Sequence, residues 1–135
     1  MLNRHASRQV VLDLVFEDSF GLYTDKNELY ENALRLREIE ENPYIRNLFF
    51  GIVEKQSEID GYIEKYAKGR KLNRISKTAL AVMRIAVYEM LYVESIPENV
   101  SIDEAIELSK QYDDEKTRAF VNGILHAVKE EIAHA

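Results

Sequence analysis

Basic side chains are concentrated in two segments of this sequence that lack acidic residues. The first ten residues hold Arg4, His5 and Arg8 without any Asp or Glu. From Lys65 to Tyr88 there is again no carboxylate, although the segment contains Lys65, Lys68, Arg70, Lys71, Arg74, Lys77 and Arg84. Clustered cations neutralise phosphates, so both segments are candidates for a nucleic-acid footprint. The alternative is two solvated basic faces on an acidic protein.

Arg4 and Arg8 have the spacing that places two side chains on one face of a helix, here near its N-terminus. Cations at that end oppose the helix dipole, at a cost of roughly 0.3–1 kcal/mol each. Their position therefore favours a functional explanation, and a frayed, screened Arg4 is the alternative. On the functional interpretation, replacing both arginines by alanine weakens nucleic-acid binding and leaves the fold intact, with stability unchanged or slightly higher.

A second candidate contact lies between Asp114 and Asn122. It offers two cations, an aromatic ring and an amide: Lys116, Arg118, Phe120 and Asn122. A ring can stack on an unpaired base and an amide can bond a base edge, which is how single-stranded RNA is usually read. Phe120 also has helical spacing with Ile124 and Val128, so a core position is the alternative for it. Gly123 is best explained by a close backbone contact with a neighbouring helix.

Signals for catalysis and for metal binding are weak. The three histidines, His5, His126 and His134, do not have the spacing of metal ligands, and there is no cysteine. No glycine-rich phosphate-binding motif occurs, and no pair of carboxylates in the sequence requires acid–base work. We therefore expect a protein that is not an enzyme and that needs no cofactor or metal.

The composition is that of one acidic domain. The chain has 135 residues and a formal net charge of −6, which argues against indiscriminate coating of nucleic acid. Absence of cysteine fits a reducing cytoplasm, and no signal peptide is visible. The most apolar run, Thr78 to Val93, contains Arg84 and Glu89 and is shorter than the ~20 residues of a membrane span. It is predicted to be a buried core helix, with no membrane association.

Helical periodicity dominates the chain, so the predicted fold class is all-α. The predicted helices are a first ending near Gly21, a second at 26–40, a third at 43–66, a fourth at 74–93, a fifth opening at Ser101, and a last one after Asp113-Asp114. Asn42 is expected to cap the third helix, with Pro43 in its first turn. Ser101 and Glu104 form a capping-box pattern for the fifth. Gly51 and Gly61 mark close helix contacts or weak points.

Arg84 and Glu89 are the only charges in the apolar helix, and their spacing places them on different faces. An unpaired buried charge would be strongly destabilising. Each is therefore expected to meet a polar group on another helix rather than its neighbour.

Three blocks of the C-terminal half resemble the NusB family of bacterial transcription antitermination factors. They are Met83-Arg84-Ile85-Ala86-Val87-Tyr88-Glu89, the stretch from Ile96-Pro97 to Lys110, and Phe120-Val121-Asn122-Gly123-Ile124-Leu125. They match the family patterns LRxAxYE, IPxxVxINEAxELxK and FVNGxL in order and at near-family spacing. The likeness extends to Arg4 and Ala6 and to Tyr44 through Gly51, so it covers essentially the whole chain.

The resemblance implies a compact bundle of about seven helices, in two packed subdomains before and after residue 70, forming one domain over residues 1–135. It implies binding of boxA-type RNA together with the ribosomal protein NusE, within an antitermination complex on RNA polymerase, notably in ribosomal RNA operons. In the family a basic N-terminal helix contacts the RNA, and Arg4, His5 and Arg8 occupy that region. NusE docks near the start of the apolar helix, where an acidic residue is usual and this chain has Ala79.

Two other interpretations of the sequence remain open. One is the NusB-like domain attached to ribosomal RNA cytosine methyltransferases, although 135 residues leave no room for a methyltransferase domain. The other is a helical adaptor that binds only protein, with basic patches that keep it soluble. Salt-dependent RNA binding would separate the favoured interpretation from this adaptor.

Overall fold

A computed structural model describes residues 2–134, which fold into seven α-helices with no β-strand among them. The helices are α1 (Arg4–Asp18), α2 (Lys26–Leu36), α3 (Pro43–Glu54), α4 (Gln56–Tyr66), α5 (Lys77–Tyr92), α6 (Glu98–Ser109) and α7 (Glu115–Ala133), with a 3₁₀ turn at Leu72–Arg74 before α5. The all-α prediction is confirmed. The apolar run forms α5, as expected for a buried core helix.

Helix α5 is the centre of the molecule. It packs against α1, α3, α4, α6 and α7, and every residue from Ala79 to Val87 is buried. In the N-terminal half, α1 packs against both α2 and α3, whereas α6 and α7 pack together in the C-terminal half. The buried apolar side chains of both halves form one continuous cluster. The two halves are therefore joined along α5 and share a core.

Two helix starts are capped by side chains, and the cap at Asn42 confirms the prediction for that helix. Asn42 caps α3 by accepting a hydrogen bond from the Ile45 N–H at 3.1 Å, and Pro43 occupies the first turn. Asp114 caps α7 by accepting from the Thr117 N–H at 2.8 Å. Both caps satisfy backbone donors that the first turn leaves without a helical partner.

Two predicted elements were wrong. The segment 43–66 is not one helix, because Lys55 (φ −101°, ψ 14°) breaks it into α3 and α4. Ser101 does not cap a helix, because α6 already begins at Glu98 directly after Pro97. The Ser101 hydroxyl instead donates to the Glu89 carboxylate at 3.1 Å. Pro97 (φ −59°, ψ 141°) is the residue that precedes the first helical turn, so the helix opens four residues before the cap position that the Ser101 pattern predicts.

The glycines behave differently from one another. A Cβ on Gly51 would overlap the Tyr88 ring, with Cε2 2.7 Å away, so Gly51 marks a close contact between α3 and α5. Among residues 2–134, a Cβ on Gly61 or Gly123 would meet no atom within 4 Å. The interpretation of Gly123 as a close backbone contact was therefore wrong, since the space beside it is open.

Candidate nucleic-acid interface

The start of α1 presents two of the predicted basic residues at the surface. Asn3 caps this helix by accepting from the Ala6 N–H at 2.8 Å, which fixes the first turn. The Arg4 guanidinium lies 4.0 Å from the centroid of the Tyr44 ring, so an exposed cation rests on an aromatic face. His5 is exposed and its Nδ1 lies 2.9 Å from a carboxylate oxygen of Glu104 on α6.

Arg8, the third predicted contact of α1, is inside the protein. Only 3% of its surface is exposed, and its Nε donates to both Glu89 oxygens at 3.0 and 3.3 Å. The sequence interpretation of Arg8 as a surface cation was wrong, because Arg8 pairs in the core with the buried carboxylate of Glu89 on α5. The expectation that the variant with alanine at both Arg4 and Arg8 keeps its stability is therefore also wrong, because Arg8 is part of the core.

The Glu89 carboxylate joins four helices. Besides Arg8 from α1, it accepts hydrogen bonds from the Tyr44 hydroxyl of α3 at 2.6 Å and from Ser101 of α6. Burial works to lower the pKa of Arg8, but the charge and hydrogen bonds of Glu89 outweigh it and raise that pKa. Burial and the Glu89 charge raise the pKa of Tyr44. A buried carboxylate with three donors satisfies the requirement that such a charge be paired.

Arg84, the other charge of α5, also has its partner on another helix. Its Nε and Nη2 donate to the two carboxylate oxygens of Asp60 on α4 at 2.8 and 2.9 Å. The expectation that Arg84 and Glu89 pair elsewhere is therefore confirmed for both.

The start of α7 presents the second predicted group. Lys116 and Asn122 are exposed, whereas Arg118 and Phe120 are half-buried. An Nη1 of Arg118 donates to the Asp113 carbonyl at 2.6 Å, which ties the cation to the loop before the helix. The Arg70 guanidinium lies 4.4 Å from the centroid of the Phe120 ring. Phe120 is thus half-buried and has a cation from the segment between α4 and α5 beside its ring.

The two groups occupy different parts of the surface and are connected through α6 and the loop after it. His5 contacts Glu104 on α6, and Gln9 donates to the Tyr112 hydroxyl in that loop at 2.7 Å. Within residues 2–134, no hydrogen bond joins the α1 group directly to the α7 group.

Sequence reasoning did not identify the aromatic partner of Arg4. Tyr44 is distant in sequence and belongs to a block whose periodicity indicates only a core helix. The tyrosine follows Pro43 in the first turn of α3, a position that leaves its ring accessible from α1. Nothing in the spacing alone signals this contact between two helices.

A third surface lies where α1 ends beside the start of α5. Phe16 and Phe20 are 37% and 49% exposed, and their rings meet edge to face with centroids 5.1 Å apart. The Lys77 ammonium lies 5.0 Å from the Phe20 ring centroid and donates to the Ser19 carbonyl at 3.3 Å. Ala79 itself is fully buried. We call Phe16, Phe20 and Lys77 the α1–α5 face.

No cluster of His, Cys, Asp and Glu in the part of the chain that the structure describes could hold a metal ion. Across residues 2–134, every helix is too short or too polar to serve as a membrane span. The structure is therefore that of a small all-helical protein whose surface cations lie over aromatic rings. Such surfaces are suited to binding nucleic acid and partner proteins.

Comparison with known proteins identifies the family. The model of the NusB family matches residues 2–130. The transcription antitermination protein NusB of Acetivibrio thermocellus is 42% identical over 130 residues, which span 94% of this chain and 88% of the relative. This chain belongs to the NusB family of transcription antitermination factors.

Solved structures agree with this assignment. NusB of T. maritima superimposes with a TM-score of 0.87 at 35% identity, covering 96% of this chain and 92% of the other. A chain from a crystal structure of the antitermination factors NusB and NusE in complex with dsRNA has a TM-score of 0.83 at 25% identity, covering 95% and 96%.

Proposed function

We propose that this protein is an antitermination factor that binds boxA-type RNA together with NusE and joins a complex on RNA polymerase in the cytoplasm, notably on ribosomal RNA operons. Family membership over residues 2–130 carries the proposal. The solved complex of NusB, NusE and dsRNA supports both partners. Binding and tethering of this kind require no catalytic group.

The RNA surface that we propose begins at Arg4. Its guanidinium is exposed, held over Tyr44, and placed at the start of a helix whose free N–H groups also favour a phosphate. His5 lies beside it in the sequence and is exposed, with its Nδ1 2.9 Å from Glu104. Arg8 contributes by holding α1 in place through Glu89 rather than by touching RNA.

The start of α7 supplies the second part of this surface. Lys116 is free to approach phosphate, Arg118 is directed by its bond to the Asp113 carbonyl, and Asn122 is exposed on the same helix. Phe120 offers ring surface for an unpaired base. Together these residues would combine phosphate neutralisation with contacts to bases.

NusE would dock on the α1–α5 face. Phe16 and Phe20 form an exposed aromatic pair there, and aromatic anchors are the usual source of binding energy at protein interfaces. Because Ala79 is buried, the contact that the family usually makes with an acidic residue would have to be replaced by these rings and by Lys77.

A titration of labelled boxA-type RNA tests the proposal. The expected result is specific but modest affinity for the protein alone, and markedly tighter binding when NusE is added. Arg4→Ala should weaken binding and flatten the dependence of log affinity on log salt, by about 0.7 for each single-strand phosphate that is no longer neutralised. Arg35→Ala, an exposed arginine on α2, is the matched control and should bind as wild type.

Two results would contradict the proposal. Equal affinity for boxA-type and scrambled RNA, with and without NusE, would show that no specific RNA site exists. Salt-independent binding of NusE without any binding of RNA would instead indicate an adaptor that binds only protein.

A further inference from the structure

A groove lined by tyrosines lies between α3 and the C-terminal end of α5, beside the start of α1. Its volume is about 420 Å³. The residues that line it include one cation, one amide and three aromatic side chains: Arg4, Asn47, Tyr44, Tyr88 and Tyr92. Only Arg4 and Tyr44 belong to the RNA surface proposed above. The α3–α5 groove therefore adds a region that the proposed function leaves without a role.

The tyrosine rings of the groove are held in place by other helices. Tyr88 and Tyr92 lie one turn apart on α5, with ring centroids 5.1 Å apart and ring planes inclined by 39°. The Tyr92 hydroxyl donates to Glu58 of α4, while 41% of the residue stays exposed. The Tyr44 hydroxyl donates to the buried Glu89. Stacking a ligand on rings that are already ordered costs little side-chain entropy.

The charges around the groove suit an anionic ligand. Arg4 is the only charged group among the described residues that line it. Beyond Tyr92, the Lys55 ammonium lies 5.7 Å from the ring centroid, and Glu58 does not line the groove. Aromatic rings with cations beside them match a nucleotide chain, because its bases are flat and its phosphates are anionic. A basic peptide would find no carboxylate in this lining.

The α3–α5 groove is continuous with the proposed RNA surface through the first turn of α1. Arg4 and His5 are neighbours in sequence, but Arg4 lies over Tyr44 of α3 whereas His5 contacts Glu104 of α6. The two side chains therefore lead to different helices. Because Arg4 itself lines the groove, an RNA strand with a phosphate on Arg4 reaches the groove with its adjoining nucleotides.

We propose that the α3–α5 groove binds unpaired nucleotides that flank the boxA-type element, stacked on Tyr88 and Tyr92. Asn47 is exposed on α3, and its amide can bond the edge of a stacked base. Stacking on tyrosine tolerates any base, so the groove adds affinity for a longer RNA without adding a sequence preference. The inference rests on the proposed RNA-binding function and extends it to RNA outside the boxA-type element.

The probes are a boxA-type RNA and the same RNA extended at its 5′ or its 3′ end by a short run of unpaired adenosines. One of the two extensions should tighten binding to wild type by at least about fivefold, as expected when a further base is stacked. Tyr92→Leu keeps apolar bulk but removes the ring, so it should abolish this gain and bind the unextended RNA as wild type does. Phe20→Leu removes another exposed ring, on the α1–α5 face, and is the matched control that should keep the gain.

A second variant leaves the rings of the groove in place. Asn47→Asp introduces a carboxylate of nearly the same size, which repels phosphate, so the extended RNA should again lose its gain. Asn27→Asp makes the same change at an exposed position of α2 and should bind each RNA as wild type does. Thermal unfolding checks that all four variants keep the fold.

The outcomes separate this inference from the proposed function. If both extended RNAs bind wild type no more tightly than the unextended RNA, while Arg4→Ala weakens binding, the groove is not an RNA site and the proposed function stands. A gain that persists in Tyr92→Leu and Asn47→Asp places the flanking RNA elsewhere and overturns the inference. Loss of NusE binding in Tyr92→Leu, with every RNA bound as by wild type, shows that the groove takes a protein segment and also overturns it. If wild type binds no boxA-type RNA with or without NusE, both proposals fail.

Discussion

At the scale of single residues, Glu89 determines how α1 is held. One carboxylate accepts hydrogen bonds from Arg8, Tyr44 and Ser101, which belong to three different helices. Arg4, only one turn earlier, remains at the surface on the outer face of Tyr44. The same tyrosine therefore connects the buried network to the exposed cation. Any change that shifts Tyr44 should alter both the packing of α1 and the position of Arg4.

Replacing Arg8 by methionine should destabilise the protein by roughly 3–5 kcal/mol, because the buried Glu89 charge then lacks its cation. Arg4→Met, which removes an exposed guanidinium, should change stability by less than about 1 kcal/mol. Urea unfolding midpoints measure both. Adding Glu89→Gln to Arg8→Met should recover part of the loss, since a neutral amide oxygen still accepts from Tyr44 and Ser101. Equal midpoints for Arg8→Met and Arg4→Met would contradict this account of the network.

Asp113, before α7, has a buried carboxylate oxygen without a hydrogen-bond partner in the part of the chain that the structure describes. Burial, and then the charge of Asp114, raise the pKa of Asp113, and Arg118 offsets them only in part. A raised folded-state pKa means that the folded protein binds this proton more tightly than the unfolded chain does. Protonation of Asp113 therefore stabilises the folded protein. This stabilisation is fully present below the ordinary pKa of 3.8 and is lost as the pH rises through the raised pKa of the folded protein.

Asp113→Asn should therefore gain stability relative to wild type as the pH rises from below 3.8 towards neutrality, since the amide cannot ionise. Denaturant unfolding at a series of pH values measures the difference. Asp103→Asn, at an exposed site on α6, serves as the control for removing one surface charge. If the advantage of Asp113→Asn does not change over this pH range, the buried carboxylate is not the cause.

At the scale of elements, the approach of α3 to α5 depends on Gly51. Gly51→Ala should destabilise the protein by about 1–3 kcal/mol, because its methyl group would overlap the Tyr88 ring. Gly61→Ala makes the same change in open space on α4 and should stabilise by roughly 0.5–1 kcal/mol. Thermal unfolding distinguishes the two directly. A gain in stability at both positions would show that Tyr88 moves aside without cost.

Helix identity was predictable from the sequence because the apolar side chains recur with helical spacing. Helix ends were predictable only where a side chain of suitable chemistry stands at the end, as at Asn42 and Asp114. The end of α2 has no such mark. There the Ile39 N–H bonds to the Leu34 carbonyl at 3.0 Å and Glu38 adopts a left-handed backbone (φ 53°). The left-handed position of this helix-ending motif is usually glycine, so the glutamate at position 38 gives no sequence signal that the helix ends there.

The division between α3 and α4 was hidden for a different reason. Apolar residues continue at helical spacing across the break, because both helices pack against α5. Periodicity alone therefore indicates one stripe. The burial of Arg8 is hidden in the same way, since its partner Glu89 lies 81 positions away and only the packing of α1 on α5 brings them together. Contacts between distant segments determine the site, and spacing within one segment cannot show them.

At the scale of the whole molecule, charge is separated by sign along the sequence, although His5, Lys65 and Arg84 each lie against a carboxylate from another helix. The protein carries a net charge of −6, yet the start of α1 and the segment from Lys65 to Tyr88 contain no carboxylate. The overall field would repel RNA at distances where it is not screened, whereas the local cations attract it at contact. Binding through such small basic areas would be specific in position and limited in strength. A partner that adds contacts on a separate face would then have a large effect on affinity.

That partner effect can be removed without changing the RNA surface. Phe20→Ala removes an exposed ring of the α1–α5 face and changes none of the residues proposed to contact RNA. It should leave the affinity of the protein alone for boxA-type RNA unchanged and should weaken NusE binding, typically by about 1–3 kcal/mol for the loss of an anchor ring. At a fixed NusE concentration that does not saturate the variant, RNA binding should therefore tighten less than it does for wild type. Leu36→Ala, at a residue 80% exposed on α2, is the matched control and should behave as wild type in both titrations. Unchanged tightening by NusE in Phe20→Ala would place the NusE contact away from the α1–α5 face.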